Sequence, residues 1–344
     1  MNIATRTFGP GSPCIAAEMS CSHSGREDLA HALIDAAKEA GADAVKFQLY
    51  EPADLTIDSD LPHFRLTEGA WAGRTLWDLY EQAKTPRSWF PGLFAHAREV
   101  GLIPFASVFS LEGVGYLEAL DCPAYKIASA EVVCLDIVRA AAQTGKPVIL
   151  SDGCATPRQM VDALGAICSV RADWKEQTCC LRCVAEYPAD PASYGLAPDG
   201  WNPHPWGVSD HSTNALVPAV AAALGASMVE AHLMLDASTY LAAASPFPLD
   251  AGHSYFPVEF AEMVDAVRLA ARIAHGPHTE QRTTQGFRRR LVWARDLPAG
   301  HVVTPEDVLC VRCGEGAEPD VDIEGRVLRL AEDVEKWGPV SVRS

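Results

Sequence analysis

Short apolar runs alternate with longer amphipathic runs along most of the chain. In the amphipathic runs, apolar residues recur every three or four positions, as on the buried face of a helix. This alternation predicts parallel strands joined by crossover helices. Eight such repeats within about 250 residues are typical of a (β/α)8 barrel. The predicted strands are Pro13–Glu18, Ala44–Gln48, Ile103–Val108, Ala124–Ala128, Pro147–Ser151, Thr178–Val184, Trp206–Ser209 and Met228–Leu233.

A doubly wound sheet is the alternative fold for the same alternation. Such sheets often carry a GxGxxG motif between a strand and its helix. No GxGxxG follows any of the predicted strands. The sequence therefore favours the (β/α)8 TIM barrel.

The character of the chain changes near residue 275. Residues 276–285 are polar and lack periodicity, so we interpret them as a linker. Residues 286–344 contain short strand-like runs and a Pro-Glu-Asp turn. The sequence predicts a barrel domain over residues 1–275 and a small β-rich domain over residues 286–344.

A long segment, Leu49–Arg87, separates the second predicted strand from its helix and carries clustered aromatic and charged residues. Long loops without regular structure are uncommon unless they serve a function. In a barrel, loops that follow strands lie at the catalytic face. We therefore expect this segment to cover the active site.

The charge balance restricts the partners of the protein. The chain of 344 residues has 28 basic and 45 acidic residues, which gives a net charge of −17. Binding to a phosphate backbone or to anionic lipid needs a surplus of lysine and arginine. We expect neither a nucleic-acid partner nor a membrane partner. An anionic substrate would require a few cations focused in a cleft.

The sequence indicates a cytoplasmic protein. No apolar run fits a targeting or membrane-spanning segment, and Ala215–Ala226 is too short to span a bilayer. The 11 cysteines are odd in number and scattered, which suits a reducing compartment. Two CxxC pairs allow a zinc site, but the odd spacing of Cys180 and Cys183 in a strand points them to opposite faces.

Polar residues stand at or just after the end of every predicted strand, although turns also favour serine and aspartate there. In a barrel these positions converge at the catalytic face. They are Glu18; Lys46 and Gln48; Ser107; Lys126, Ser129 and Glu131; Ser151 and Asp152; Glu186 and Tyr187; Ser209, Asp210 and His211; and Glu230 and His232.

Two lysines, Lys46 and Lys126, interrupt apolar strands. A buried ammonium needs an anionic partner. The partner is either a protein carboxylate, Glu18 or Glu131, or a bound anion. A lysine of this kind can also form a Schiff base. The neighbouring serine hydroxyls favour an anion clamp.

Two histidines, His211 and His232, lie at neighbouring strand ends. Neutral imidazoles suit Mn, Zn, Fe or Co, and Glu18 or Asp250 would complete an open site. Alternatively, His211 is a turn residue and His232 a core residue. Because both fall at adjacent strand ends, we favour a metal.

Several strings of this sequence occur together in one known family. The chain resembles the N-acetylneuraminate (sialic acid) synthases, and within them the pseudaminic acid synthases. Its tail resembles their antifreeze-like (SAF) domain. The barrel strings are Ile15–Gly25, Gly41–Gln48, Tyr125–Glu131, Gly145–Ser151, Ser209–His211 and Glu230–His232, and the tail strings are Ala294–Gly300 and Val311–Gly314.

The resemblance implies a condensation of phosphoenolpyruvate with an aldose. It implies that His211 and His232 bind a divalent metal, usually Mn2+ with Mg2+ or Co2+ as alternatives, and that Glu131 positions or deprotonates water. It also implies a domain-swapped homodimer in which Arg312 reaches the partner's active site. The implied phosphoenolpyruvate ligands are Lys46, Ser107, Lys126, Ser129, Ser151, Tyr187 and Ser209, and the implied sugar contacts are Glu18, Gln48 and Asp250.

Some positions depart from the family pattern. Serines replace the usual asparagines at Ser22 and Ser24, and Ala185 removes a polar group. Ala130 replaces a glycine and Cys313 replaces a proline. Because a hydrogen-bonding site discriminates strongly between substrates, these changes predict the same reaction type with an uncertain acceptor sugar.

Two other functions remain open from the sequence. One is a pyruvate aldolase that forms a Schiff base on Lys126 or Lys46. The other is a sugar-acid-binding homologue without catalytic activity.

Overall fold

The computed structural model describes residues 1–69, 71–196, 205–277, 287–320 and 328–341. The chain divides into two compact units, Met1–Gly276 and Pro277–Ser344. Most of the predicted linker, from residue 278 onward, lies outside the described residues.

The first unit is a closed barrel of eight parallel strands, as predicted. A short antiparallel hairpin of β1 (Asn2–Ile3) and β2 (Arg6–Thr7) precedes it. Each predicted barrel strand is present to within two residues. The barrel strands are β3 (Cys14–Glu18), β4 (Ala44–Leu49), β5 (Ile103–Val108), β6 (Tyr125–Ile127), β7 (Val148–Ser151), β8 (Thr178–Cys183), β9 (Trp206–Asp210) and β10 (Met228–His232).

Helices connect the strands and pack their apolar faces on the barrel. The helix α1 buries Leu29 and Leu33, whereas its polar residues face solvent. The described helices are α1 (Glu27–Glu39), α2 (Pro52–Leu55), α3 (Leu76–Ala83), α4 (Phe90–Glu99), α5 (Leu111–Glu118), α6 (Leu135–Gln143), α7 (Pro157–Cys168), α8 (Trp174–Gln177), α9 (Leu216–Ala223), α10 (Ala237–Ala242) and α11 (Pro257–His275).

Local sequence signals set where several helices begin. The Ser110 hydroxyl accepts a hydrogen bond from the Gly113 amide at 3.2 Å and caps α5. Thr156 and Gln159 form a capping box around the first turn of α7, which begins at Pro157. These caps satisfy backbone amides that a helix cannot pair internally.

The register of the barrel aligns the polar strand ends. Lys46 is the register neighbour of Glu18, and Ser107 is the neighbour of Gln48 and of Lys126. On the other side of the ring, Glu230 is the neighbour of Ser209. The barrel closes with His232 beside Glu18. The fold therefore brings residues far apart in sequence to one end of the barrel.

The second unit is small and rich in β-structure. Its strands β11 (Arg289–Trp293) and β12 (Val308–Arg312) pair in antiparallel register. Leu291, Trp293 and Val340 belong to its core. The predicted strand-like run at 326–330 lies partly outside the described residues, and Arg329 forms an isolated bridge with Val302.

Within the described parts of the chain, no helix combines the length and apolar character that crossing a bilayer requires.

Gly207 in β9 provides a test of barrel packing. A Cβ atom there would lie 2.1 Å from the Met228 carbonyl oxygen and 2.8 Å from Leu181 Cδ2. We expect Gly207→Ala to lower the melting temperature by several degrees, because overpacking costs about 1–3 kcal/mol. The control is Gly115→Ala in α5, where nothing lies within 4 Å of the added methyl group. Equal melting temperatures for both variants would contradict the barrel packing.

Candidate active site

A cavity of about 320 Å³ lies at the carboxyl ends of the barrel strands. This is the end at which barrel enzymes place their active sites. Two predicted site residues of the barrel, Glu18 and Glu131, do not line it, and Arg312 belongs to the second unit. The predicted residues that line it are Lys46, Gln48, Ser107, Lys126, Ser129, Ser151, Tyr187, Ser209, His211, His232 and Asp250.

Two buried lysines share one buried carboxylate beside this cavity. Lys46 Nζ lies 3.4 Å from Glu230 Oε1, and Lys126 Nζ lies 3.2 Å from the same oxygen. Lys46 also forms a short ion pair with Glu18. All four side chains are at most 4% exposed. We call Glu18, Lys46, Lys126 and Glu230 the lysine cluster.

Serine hydroxyls complete the lysine cluster. Ser209 donates a hydrogen bond to Glu230 Oε1 at 2.9 Å, and Lys46 donates one to Ser107 at 3.1 Å. The Ser151 hydroxyl is buried and has no hydrogen-bond partner among the described residues. A buried hydroxyl without a partner is costly, so Ser151 is a ready donor for a ligand.

The two lysines differ in how well they are compensated. Burial lowers the pKa of Lys46, but Glu18 and Glu230 outweigh burial and raise it above the ordinary value. Burial also lowers the pKa of Lys126, and Glu230 alone does not reverse that shift. Burial would raise the pKa of Glu230, yet the charges of Lys126 and Lys46 lower it to about 2. Lys126 is therefore the cation that gains most from an incoming anion.

The partners of the two lysines match the prediction only in part. Lys46 pairs with Glu18, one of the two carboxylates predicted as partners. Lys126 pairs with Glu230, which the sequence placed at a strand end without giving it a role. Glu18 is fully buried, and it accepts hydrogen bonds from the Ser20 amide at 2.7 Å and from Gln48 Nε2 at 3.1 Å.

Glu131 lies in a short 3-10 helix, Glu131–Val133, and is half-buried. Burial raises the pKa of its carboxyl group, and the positive charge of Lys126 opposes that shift. Its charge also acts on Tyr80, which lines the cavity.

Arg312 is exposed on β12 of the second unit.

A second cluster of buried titratable groups also lines the cavity. The Asp250 carboxylate faces two imidazoles, with 3.5 Å between Oδ2 and His232 Nδ1 and 3.6 Å between Oδ1 and His253 Nε2. One donor atom from each of the three residues lies within 4.8 Å of the others. We call these three residues the histidine–aspartate cluster.

The donor atoms of the histidine–aspartate cluster fit a divalent transition metal. His232 Nδ1 and Asp250 Oδ2 are buried and have no hydrogen-bond partner among the described residues. Two nitrogen donors and one carboxylate suit Mn, Fe, Co or Zn. His253 was not predicted from the sequence. The sequence signal that could have indicated it is its position three residues after Asp250, which places the two residues within one turn.

His211 lies beside this cluster. Its ring centroid is 5.4 Å from that of His232 and 4.4 Å from that of Tyr187. His211 Nδ1 is 2.8 Å from the Val184 carbonyl oxygen, so Nδ1 carries the proton and Nε2 has a free lone pair. Burial, followed by the neighbouring His232, lowers the pKa of His211 to about 3, which keeps the ring neutral. Its predicted role as a metal ligand stays a prediction.

The long segment after β4 contributes an apolar wall to the cavity. Apolar side chains of this segment line the cavity and contrast with its charged groups. They are Leu66, Trp71, Leu76, Leu79 and Ala83. Trp71 Nε1 donates a hydrogen bond to the Leu249 carbonyl oxygen at 3.3 Å and thereby joins the segment to the loop after α10. The site therefore combines charged and apolar surfaces.

Among the positions that depart from the family pattern, Ser22 is buried and Ser24 is half-buried, whereas Ala130 and Ala185 are exposed. The Ser22 and Ser24 hydroxyls have no hydrogen-bond partners among the described residues. Between them, His23 Nε2 lies 3.0 Å from the Thr85 hydroxyl. Cys183 lines the cavity, and all eleven cysteines are free.

Comparisons with known proteins agree with this geometry. Residues 33–278 match the NeuB family. The chain is 36% identical over 331 residues to pseudaminic acid synthase from Campylobacter jejuni, covering 93% of each chain. It is 28% identical over 325 residues to human N-acetylneuraminate-9-phosphate synthase, covering 90% of this chain and 86% of the relative.

A solved structure is similar over most of its length. N-acetylneuraminic acid (sialic acid) synthetase from Leptospira borgpetersenii, in complex with citrate, matches with a TM-score of 0.69 and 25% identity. The match covers 83% of this chain and 93% of that one.

Replacing Glu230 tests the lysine cluster. We expect Glu230→Gln to lower the melting temperature without ligand, since breaking a buried ion pair costs on the order of 3 kcal/mol. Inorganic phosphate should then raise the melting temperature more than in the wild type, because Lys126 has lost its carboxylate. The control is Glu176→Gln at an exposed position of α8. If Glu230→Gln melts like the wild type and responds equally to phosphate, the lysine cluster does not act as described.

Proposed function

The chain belongs to the NeuB family, and we propose from this premise that it condenses phosphoenolpyruvate with an aldose. The products are inorganic phosphate and a 2-keto-3-deoxy sugar acid of the nonulosonic type, as for a pseudaminic acid synthase. The observation that carries the proposal is the lysine cluster, in which Lys126 shares its one carboxylate partner among the described residues, Glu230, with Lys46.

The charges of the lysine cluster fit a bound anion. The charges of its two lysines and two carboxylates sum to zero before the substrate binds. Phosphoenolpyruvate brings a phosphate and a carboxylate, so its binding favours additional positive charge in the cavity. Lys126 and the Ser151 hydroxyl, which has no hydrogen-bond partner in the part of the chain that the structure describes, are the first groups available to it.

Each predicted phosphoenolpyruvate ligand has a place in this scheme. Lys46 and Lys126 bind the anionic groups, and the serine hydroxyls donate hydrogen bonds to their oxygens. The proposed ligands are Lys46, Ser107, Lys126, Ser129, Ser151, Tyr187 and Ser209. Glu18 is fully buried, so we assign it the task of orienting Lys46 and Gln48.

A divalent cation near His232 would supply the missing positive charge. We propose Mn2+, with Mg2+ or Co2+ as alternatives. When bound, such a cation polarises the aldehyde of the sugar and stabilises the negative charge that develops on its oxygen. The chain's own groups hold the two substrates so that C3 of phosphoenolpyruvate faces C1 of the aldose.

The condensation then follows from this arrangement. The C3–C1 bond forms as C3 of phosphoenolpyruvate attacks the aldehyde carbon. Water adds at C2 and gives up both protons, one to the former aldehyde oxygen and one to the phosphate, and the bond between C2 and the phosphate oxygen breaks, so that C2 becomes a ketone as phosphate leaves. We propose that Glu131, in the 3-10 helix that follows the cavity residues Ala128 and Ser129, positions this water or accepts its proton.

The apolar wall indicates the class of acceptor. Leucine side chains and the Trp71 ring suit methyl groups better than hydroxyl groups. An aldose with acetamido or deoxy groups carries such methyl groups. We therefore propose an acetamido or deoxy aldose as the acceptor.

One observation favours a second chemistry on the same cavity. A lysine whose pKa is lowered by burial, as that of Lys126 is, can act as a nucleophile and form a Schiff base with pyruvate. In that case borohydride would trap a covalent pyruvate adduct on Lys126.

We also propose the assembly and the location of the protein. The second unit acts as an antifreeze-like domain that places Arg312 in the active site of a partner subunit within a homodimer. The eleven free cysteines favour a reducing compartment, the cytoplasm.

Product analysis tests the proposed reaction. The protein is incubated with phosphoenolpyruvate, Mn2+ and a panel of aldoses, and products are identified by mass spectrometry. We expect one phosphate released for each sugar acid formed. Lys126→Met should reduce the rate at least about a hundredfold, because it removes charge that binds the reacting anion.

The control is Lys175→Met on the exposed surface of α8. A borohydride-trapped adduct without phosphate release would instead establish the Schiff-base aldolase. Binding without turnover across the panel would identify a non-catalytic homologue.

Mixed dimers test the role of Arg312. Arg312→Ala and Lys126→Met chains carry different tags, are co-expressed, and are purified as the mixed dimer. If Arg312 acts in the partner's site, one of the two sites is intact, and about half of the wild-type activity returns. Both parent homodimers should be inactive. A mixed dimer as inactive as its parents would contradict exchange of the second unit.

A further inference from the structure

We propose that His253 is a ligand of the divalent cation, which His232, Asp250 and His253 then hold together. This inference rests on the proposed function for the presence of a cation. The sequence indicated His211 and His232 as ligands, with Glu18 or Asp250 completing the site, and His253 is the new member of the set. The two assignments predict different effects of single substitutions.

The backbone brings the three side chains together firmly. His232 is the last residue of β10, and Asp250 and His253 belong to the turn that leads into α11. The Tyr255 amide donates a hydrogen bond to the His232 carbonyl at 2.9 Å, and the Met234 amide donates one to the Tyr255 carbonyl at 3.0 Å. The turn is thus fixed beside the strand that carries His232.

One donor atom from each of the three residues lies within 4.8 Å of the others, and each imidazole faces its own oxygen of the Asp250 carboxylate. The Asp250 oxygens lie 3.5 Å from His232 Nδ1 and 3.6 Å from His253 Nε2. The same separations are long for hydrogen bonds between these groups.

The burial of these three side chains also favours a bound cation. The His232, Asp250 and His253 side chains are at most 9% exposed. His232 Nδ1 and Asp250 Oδ2 lack hydrogen-bond partners among the described residues. Buried polar atoms of this kind are costly unless a ligand satisfies them. A cation would satisfy both at once.

The packing of His253 orients its ring. Its centroid lies 4.6 Å from that of Tyr187 and 4.9 Å from that of His232. His211 is farther away, at 6.2 Å between centroids. His211 is also outside the set of donor atoms that lie within 4.8 Å of one another.

The assignment has consequences for the acceptor and for the metal. Asp250 acts as a metal ligand rather than only as a contact to the sugar. Three protein ligands retain a cation without help from the substrates. Two imidazoles and one carboxylate select Mn2+, Co2+ or Zn2+ over Mg2+, which prefers oxygen ligands.

Metal binding without substrate tests the assignment. Metal-free protein is titrated with Co2+, and binding is followed by calorimetry and by the visible absorption of the bound ion. We expect His253→Phe to raise the dissociation constant for Co2+ at least about tenfold, because the ion loses one of its three protein ligands. A tenfold change corresponds to about 1.4 kcal/mol of binding free energy. Phenylalanine keeps an aromatic ring beside Tyr187. His253→Asn serves as a second variant if the first fails to fold, and melting temperatures monitor folding.

Two further variants complete the experiment. His96→Gln, on the outer helix α4, is the matched control and should bind Co2+ like the wild type. If His253→Phe and His253→Asn fold and bind Co2+ as tightly as the wild type, the assignment is overturned. Loss of binding in both His253→Phe and His211→Phe confirms His253 and adds His211 as a fourth ligand.

Failure of this proposal is distinguishable from failure of the proposed function. The metal titration contains neither phosphoenolpyruvate nor a sugar. A protein that condenses the substrates but binds Co2+ normally without His253 refutes only the ligand assignment.

Discussion

The arrangement of the site depends on one buried carboxylate between two buried ammonium groups. Glu230 Oε1 lies 3.4 Å from Lys46 Nζ and 3.2 Å from Lys126 Nζ. Such charges are tolerated in a barrel interior only when each has a partner. Without substrate, the lysine cluster is neutral but Lys126 is the less compensated cation. The same arrangement that keeps the protein folded without ligand thus leaves a place for an anion.

The closed barrel makes it possible for separate clusters to serve one reaction. Lys46, Lys126 and Glu230 of the lysine cluster line the same cavity as the histidine–aspartate cluster, and the apolar residues of the segment after β4 line it too. An anion, an aldehyde oxygen and apolar substituents each find matching chemistry there. Because most of these groups stand at strand ends, the barrel holds them in fixed relative positions. This arrangement accounts for a condensation between two different substrates in a single cavity.

The barrel could be predicted from sequence because its strands are buried apolar runs with polar ends. The hairpin of β1 and β2 escaped prediction because strands of two residues carry no periodic pattern. The pairing of Lys126 with Glu230 joins residues 104 positions apart and depends on how the ring closes. His253 lies in a turn, where no hydrophobic periodicity of the sequence indicates which way the side chain points. Local pattern therefore located the site, whereas its internal pairings required the three-dimensional structure.

The central claim is that the lysine cluster holds phosphoenolpyruvate in the same cavity in which the histidine–aspartate cluster holds a cation, so that the two lie close together. The most direct measurement is the 31P NMR relaxation of phosphoenolpyruvate in the presence of protein loaded with Mn2+, compared with protein loaded with Mg2+. A paramagnetic ion shortens the relaxation time of a nearby phosphorus nucleus. The account predicts a strong enhancement with Mn2+ that a non-reacting anionic analogue reverses by displacement. Equal relaxation with the two metals, while phosphoenolpyruvate is bound, would contradict it.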